Sequence, residues 1–389
     1  MSTRLPVVLL LVVSIALTLS LGEIILRYSL QSPLAHYVET TNRAIALREL
    51  KPNQSAAVQP DRRYLAGTDG LDGKRVNLRI DPDGFIEPSS RHDKPDLTLM
   101  FLGGSTTESM FVDEPKRFPY LVAVQLEDQY GIKVNAFNGG TAGNNSLHSI
   151  NKLLNVVAPR KPDMIFLMES INDLNTLVFF GSYWSGATRG HLMYTDTDVG
   201  LGYFKYRLKL SASRLIPGYF TLVKRMKDRF IPFEYDEFAR YQGNFDASIA
   251  KEEELVHSFR ANLTLFISIS KGLGSTPVLM TQANRIENRD PFVRSQYRAA
   301  RPNLDFDKWA SLYTKFNAAI RTVSREEGVA LIDLARLIPP TREYIYDAVH
   351  LNDKGSELVA STIVKVLPTI LPPRTSTLIQ SPMQQRARQ

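Results

Sequence analysis

Residues 97–109 read "LTLMFLGGSTTES". The run from Leu97 to Leu102 is apolar except for Thr98, and it does not alternate. A strand of that composition is buried on both faces, as strands are in a parallel sheet covered by helices. The run stops at Gly103 and Gly104, and Ser105 follows at once. In open parallel sheets ligands gather at the carboxyl ends of the strands, which is where Ser105 stands. Such a serine has two readings. It caps the helix that follows, or it is a nucleophile whose hydroxyl two glycines leave uncovered.

The same kind of run recurs along the chain. "IKVNAF" (132–137), "DMIFLM" (163–168), "TPVLMT" (276–281) and "VALIDL" (329–334) are short and mostly unbroken by polar residues. Helical segments are expected between them, at Phe118 to Gln129, Lys251 to Lys271 and Asp307 to Glu327, with a last one at Lys354 to Val366. Strand and helix in alternation imply a parallel sheet with helices on both faces. Ahead of this pattern, residues 28–95 form a lead-in rich in loops, with one alternating strand, "RVNLRI", that turns at "DPDG". Residues 179–243, rich in aromatic and basic side chains, interrupt the alternation and read as an insertion within a domain spanning 96–370. The stretch 371–389 reads as a disordered polar tail.

Composition excludes several chemistries. There is no cysteine among the 389 residues, hence no disulfide, thiolate metal site or lipid-modified cysteine. The net charge of +7 is mild and no nucleic-acid motif accompanies it. The six histidines show no metal-ligand spacing, and neither a metal nor a cofactor is expected. The N-terminus says more. "LPVVLLLVVSIALTLSL" runs from Leu5 to Leu21 without a charge, and Ile24 to Leu26 continue it after Glu23. About 20 apolar residues span a bilayer, and Arg4 ahead of the run keeps the N-terminus cytoplasmic. We therefore expect residues 5–26 to anchor the chain with its remainder outside the cytoplasm. A cleaved signal peptide is the alternative, and a buried core helix the third.

Three more strand ends bear on Ser105. "NGGTAG" (138–143) follows the second run, "ESIND" (169–173) the third, and "YDAVHLND" (346–353) lies near the C-terminus. A serine needs a base, and histidine has the pKa for it. Asp347 and His350 stand three apart, so one loop supplies the base and the carboxylate that orients it. Gly140 offers a bare backbone N–H and Asn172 a side-chain amide for an oxyanion. Asp173 is expected to brace its loop, His148 to pack or cap, Glu108 to be solvated or hydrogen-bonded, and Trp309 to lie in the core. "FFGSYWSG" (179–186) has two readings. Either Tyr183 and Trp184 line a sugar-binding mouth, or the aromatic residues close a lid. The basic stretch Arg207 to Arg229 is a solvated face or a contact for anionic lipid or polymer.

Taken in order, "GGST", "NGGTAG", "SIND" and "DAVH" resemble the four blocks of the SGNH hydrolases, a branch of the GDSL-type esterases and lipases. The resemblance covers residues 76–367 and includes the lead-in "IDPDGF". The N-terminal "GEIILR" is similar to that of membrane-tethered bacterial members. The chain departs from the pattern at Ser170, where the third block has glycine, and at Ser109, and neither change removes a reacting group. The resemblance implies a flavodoxin-like three-layer α/β/α sandwich and a triad of Ser105, Asp347 and His350. The oxyanion would be held by Ser105, Gly140 and Asn172. It implies ester hydrolysis, with acetyl on an envelope carbohydrate as the expected substrate. Transfer to a cell-surface polysaccharide is the first alternative, and a non-catalytic, glycan-binding scaffold the second. The oligomeric state is left open.

Overall fold

A computed structural model describes residues 11, 13–15, 17, 18, 21, 43–45, 49–184, 193–195, 251–300 and 304–371. The expected anchor at 5–26 lies outside the described residues apart from seven helical positions between 11 and 21. Most of the insertion, the whole basic stretch 207–229, and the tail after 371 also lie outside them. Among the described residues no helix is long and apolar enough to cross a membrane.

The chain divides into two compact units. The first comprises 1–45 and 193–221. In it strand β1 (Arg43–Ile45) pairs antiparallel with a strand at Met193–Thr195. The second comprises 46–192 and 222–389 and contains everything that follows.

The lead-in supplies β2 (Ser55–Val58), the short helix α1 (Arg62–Ala66) and β3 (Val76–Arg79). The first two lie in what the sequence suggests is loop. In fact β2 pairs antiparallel with β3, and Asp61 caps α1 by accepting the Tyr64 N–H at 2.7 Å. Five parallel strands then form the central sheet: β4 (Leu97–Gly103), β5 (Val134–Asn138), β6 (Met164–Met168), β8 (Thr276–Met280) and β9 (Ala330–Ile332), with β7 being the Met193–Thr195 strand of the other unit. Their order is β5-β4-β6-β8-β9. The order reverses beside β4, and such a switch point opens a crevice at the strand ends.

The helices between and after these strands are α2 (Ser105–Glu108), α3 (Phe118–Tyr130), α4 (Ser146–Lys152), α5 (Ile171–Phe180), α6 (Glu252–Gly272), α7 (Pro291–Ala300), α8 (Phe306–Glu326), α9 (Leu334–Leu337) and α10 (Asp353–Ile370). They cover both faces, as the unbroken apolar runs require. Leu97, Leu99 and Phe101 of β4 point to one face and pack with Phe118 and Val122 of α3 and Ile363 and Leu367 of α10. Met100 and Leu102 point to the other, toward Leu174 of α5, Phe259 and Phe266 of α6, and Trp309 and Phe316 of α8. Each large apolar side chain so buried contributes about 1.5–3 kcal/mol. Trp309 is fully buried, in the core as expected.

Candidate active site

The site is built where β4, β5 and β6 end. After β4 the chain turns at Gly104 in an extended conformation, and Ser105 opens the four-residue helix α2. Neither Gly103 nor Gly104 has a left-handed backbone, so conformational freedom is not what requires glycine here. Close approach is. A Cβ on Gly103 would stand 2.6 Å from the Met168 carbonyl oxygen, and one on Gly104 2.5 Å from Asn172 Nδ2. A Cβ on Gly140 would meet the Glu108 backbone nitrogen at 2.2 Å. Three glycines thus let three strand ends close on one another.

Ser105 Oγ lies 2.7 Å from His350 Nε2, and His350 Nδ1 lies 2.7 Å from Asp347 Oδ2. A carboxylate only accepts, so Nδ1 carries the proton and the Nε2 lone pair faces the serine hydroxyl. Asp347 Oδ1 accepts the backbone N–H groups of Val349 (2.9 Å) and His350 (2.8 Å). Burial alone would push the Asp347 carboxyl up, but the imidazole and these two donors outweigh it and hold the group below the ordinary aspartate value. Burial likewise opposes the charged form of His350, yet the Asp347 anion, with a smaller contribution from Glu108, raises it above the ordinary histidine value.

The loop bearing this pair is held from a distance. Arg285, buried after β8, makes a two-pronged ion pair with Asp69 of the lead-in, bonds Asp290 Oδ2 (2.8 Å), and donates to the Ile345 carbonyl at 3.3 Å. The Asp69 N–H donates to the Tyr346 carbonyl at 3.0 Å. The Tyr346 ring stacks on the His350 imidazole, centroids 5.5 Å apart and planes 11° apart. Its hydroxyl meets that of Tyr64 at 3.1 Å. Sequence reading missed Tyr64, Asp69 and Arg285. "GTDG" looked like loop, and nothing local marks Asp69 as the partner of a residue 216 positions away.

Two of the three expected oxyanion donors are available beside the nucleophile, and the third is bonded elsewhere. The Ser105 N–H opens a helix and has no intrahelical acceptor. Asn172 Nδ2 gives one hydrogen to the Asn144 carbonyl at 2.6 Å and keeps its second. The Gly140 N–H is turned to Asn138 Oδ1 at 3.0 Å.

Beneath these donors lies a polar layer. Asp173 is fully buried and accepts from the Ser146 N–H (3.1 Å), the Ser146 hydroxyl and the Tyr183 hydroxyl (2.6 Å), bracing the second and third blocks together. Tyr183 is therefore not a mouth residue. Its ring is buried and its hydroxyl is committed to Asp173, which corrects the expectation of a substrate contact. Trp184, by contrast, is 59% exposed. Glu169 is also buried and accepts from Ser149 Oγ at 2.9 Å; burial, then the Asp173 charge, pushes its carboxyl well up. Glu108 is buried too, not solvated. It takes one hydrogen bond from the Ala142 backbone, and burial pushes its carboxyl up to about 7. His148 caps α4, its Nδ1 accepting the Asn145 N–H at 3.1 Å. Among the described residues no cluster of side chains is arranged to hold a metal ion. A groove of about 890 Å³ between α6 and α8 is lined by none of these blocks.

Residues 101–358 match the model of the GDSL-like lipase/acylhydrolase family. Among solved structures the chain is similar to an acetylxylan esterase from Geobacillus stearothermophilus, with 15% identity, 69% of this chain and 93% of that one covered, and a TM-score of 0.38. It is similar to a GDSL-like lipase from Parabacteroides merdae, with 14% identity, coverage of 73% and 97%, and a TM-score of 0.42. A lipase/acylhydrolase from Enterococcus faecalis shows 17% identity, coverage of 69% and 94%, and a TM-score of 0.39. No curated protein is significantly similar.

Proposed function

The chain belongs to the GDSL-like lipase/acylhydrolase family, and from that premise we propose that it hydrolyses carboxylic esters with Ser105 as nucleophile. The observation that carries this reading is the relay of two 2.7 Å contacts from Ser105 through His350 to Asp347. Ser105 Oγ attacks the ester carbonyl carbon while its proton passes to His350 Nε2. Asp347 stabilises the imidazolium that forms and keeps Nδ1 as the donor. The developing oxyanion takes the Ser105 N–H and the free hydrogen of Asn172 Nδ2, while the Gly140 N–H, expected from the sequence as a third donor, is bonded to Asn138 Oδ1. His350 then protonates the departing alcohol. Water, deprotonated by the same nitrogen, clears the acyl-serine and regenerates the hydroxyl.

The substrate in this reading carries a short acyl group, acetyl foremost, on an envelope carbohydrate. The uncharged run 5–21 supports an anchored, extracytoplasmic domain that meets such polymers. The exposed Trp184 supports a face on which a sugar ring stacks. Ser105→Ala in the purified full chain, assayed on p-nitrophenyl esters from acetyl to palmitoyl and on acetylated oligosaccharides, tests both parts. Loss of turnover and of fluorophosphonate labelling is expected, with acetyl preferred by the parent. Unchanged turnover removes Ser105 from the mechanism, and a preference for long acyl chains removes the acetyl substrate. Free sugars added as acceptors distinguish transfer from hydrolysis. An exported C-terminal reporter on a membrane-bound chain of full size is expected. A shortened chain would instead indicate a cleaved signal.

A further inference from the structure

Gln282 is the second residue after β8, and its side chain is buried. In the sheet β8 neighbours β6, which lies between it and β4. The Gln282 amide reaches the ends of both. Its Nε2 donates to Thr106 Oγ1 at 3.0 Å, on the helix that follows β4. Its Oε1 accepts the Ile171 N–H at 3.1 Å, on the helix that follows β6, and the Tyr313 hydroxyl at 2.9 Å. A backbone N–H can only donate, so the atom facing Ile171 is the oxygen and the amide has one orientation. Thr106 and Tyr313 are buried with it. The bonded residues are not arbitrary, for Thr106 follows Ser105 and Ile171 precedes Asn172. Neither helix caps itself with a side chain at its start, since Gly104 has none to offer α2 and Ser170 makes no such bond for α5. A residue from a third strand end bonds the first turn of each.

We propose that Gln282 is a positioning residue that joins Thr106 to Ile171 through one buried amide and so fixes the separation of Ser105 and Asn172. This rests on the esterase reading above, in which Ser105 is the nucleophile and Asn172 an oxyanion donor. Those two groups serve one tetrahedral centre, the serine oxygen bonding its carbon and the amide its oxygen. They stand on separate helices after separate strands, so their spacing has to be set by contacts between the helices. The close approach of Gly104 to Asn172 limits how near they come. A hydrogen bond at each end of the Gln282 amide limits how far apart they drift. The tie is itself anchored, because the Gln282 N–H donates to Asn317 Oδ1 at 3.4 Å and its carbonyl accepts from Asn284 Nδ2 at 3.0 Å. An apolar side chain would fill the same space but would leave the buried Ile171 N–H and Tyr313 hydroxyl without this acceptor. The spacing matters most when both groups act on the same centre, so the tie works on the transition state rather than on ester binding.

Thr106→Val in the full chain is the first test. It keeps the shape of the side chain, removes the hydroxyl and cuts the tie at α2 alone. Its kcat on p-nitrophenyl acetate should fall about tenfold, because misplacing reacting groups by about 1 Å costs up to roughly a hundredfold. KM should stay within about twofold. Phenylboronic acid, whose boron bonds Ser105 Oγ and becomes a tetrahedral anion, should lose affinity by the same factor as kcat. Thr106→Ser, which restores the hydroxyl, should recover kcat. Gln282→Met cuts both ends, and combined with Thr106→Val it should be no slower than alone, because the two changes remove one tie. A Thr106→Val chain that loses stability in urea but keeps kcat within about twofold overturns the inference and makes the amide a framework bond only. So does a kcat loss with unchanged boronate affinity, a pair of losses that multiply in the double variant, or a Thr106→Val chain that does not fold. If Gln282→Met does not fold, the threonine variants decide by themselves. A parent that cleaves no ester, or a Ser105→Ala chain that keeps parental activity, instead overturns the esterase reading itself.

Discussion

The two halves of the candidate site are held by different means. The half with Ser105, Gly140 and Asn172 is held by close approach at glycines, over a layer braced by the buried Asp173 carboxylate. Three strand ends of one sheet close to within contact at glycines, where added Cβ atoms would stand 2.2–2.6 Å from neighbouring atoms. The half with Asp347 and His350 lies on the long connection between β9 and α10 and is held by side chains. Arg285 and Asp69 clamp its backbone, and Tyr64 touches Tyr346, which stacks on the imidazole. The difference teaches that the nucleophile takes its geometry from the sheet, whereas the base takes its geometry from the lead-in and from Arg285 after β8. Changes to the first half should cost activity through chemistry or packing. Changes to the clamp should cost activity through misplacement of an intact base.

Within the acid–base pair the largest effect is expected from Asp347→Asn. It preserves shape but removes the anion that sets the imidazole tautomer, and kcat should fall by about 10⁴. The same change removes the main cause that raises His350, so the acid limb of the pH–rate profile should move to lower pH. A limb that stays in place would mean that Asp347 does not set the charge of His350. Next comes Asn172→Ala on the sheet-held side. Loss of an oxyanion donor costs about 3 kcal/mol of transition-state stabilisation, roughly a hundredfold in kcat. A variant within about twofold would place Asn172 outside the reaction.

The clamp should respond more mildly and in a different observable. Asp69→Ala leaves Arg285 buried with Asp290 as its remaining carboxylate. Stability measured by urea unfolding should drop by about 2–3 kcal/mol, the cost of breaking a largely buried pair whose cation keeps one partner. Fluorophosphonate labelling of Ser105 should slow as the His350 loop loosens. An undiminished midpoint and labelling rate would show that the loop holds itself. Tyr64→Phe is the smallest change. It deletes one hydroxyl contact of about 1 kcal/mol and keeps the ring against Phe111, 4.8 Å between centroids. Turnover should change less than threefold, and a larger loss would make the Tyr64 hydroxyl part of the reaction.

Much of this was legible in the sequence because the information is local. An unbroken apolar run reports a strand covered on both faces. "LTLMFL" became β4, and the expected helices at 118–129, 251–271 and 307–327 formed within a residue of those bounds. The residue types a serine mechanism needs stood at strand ends and in one late loop, and Ser105, His350 and Asp347 meet at 2.7 Å. What escaped depended on partners far along the chain. The exposed-looking Tyr183 is buried because Asp173 lies beneath it, and Glu108 is buried because the second block closes over α2. Asp69 in a glycine-rich turn is an anchor only because Arg285 reaches it from the other end of the sheet. Periodicity and spacing describe which side of its own element a residue faces. Burial, charge state and clamping are set by what the fold brings against that side, so only the tertiary structure decided that Lys152, ending α4, would be buried with its ammonium on the Gly139 carbonyl.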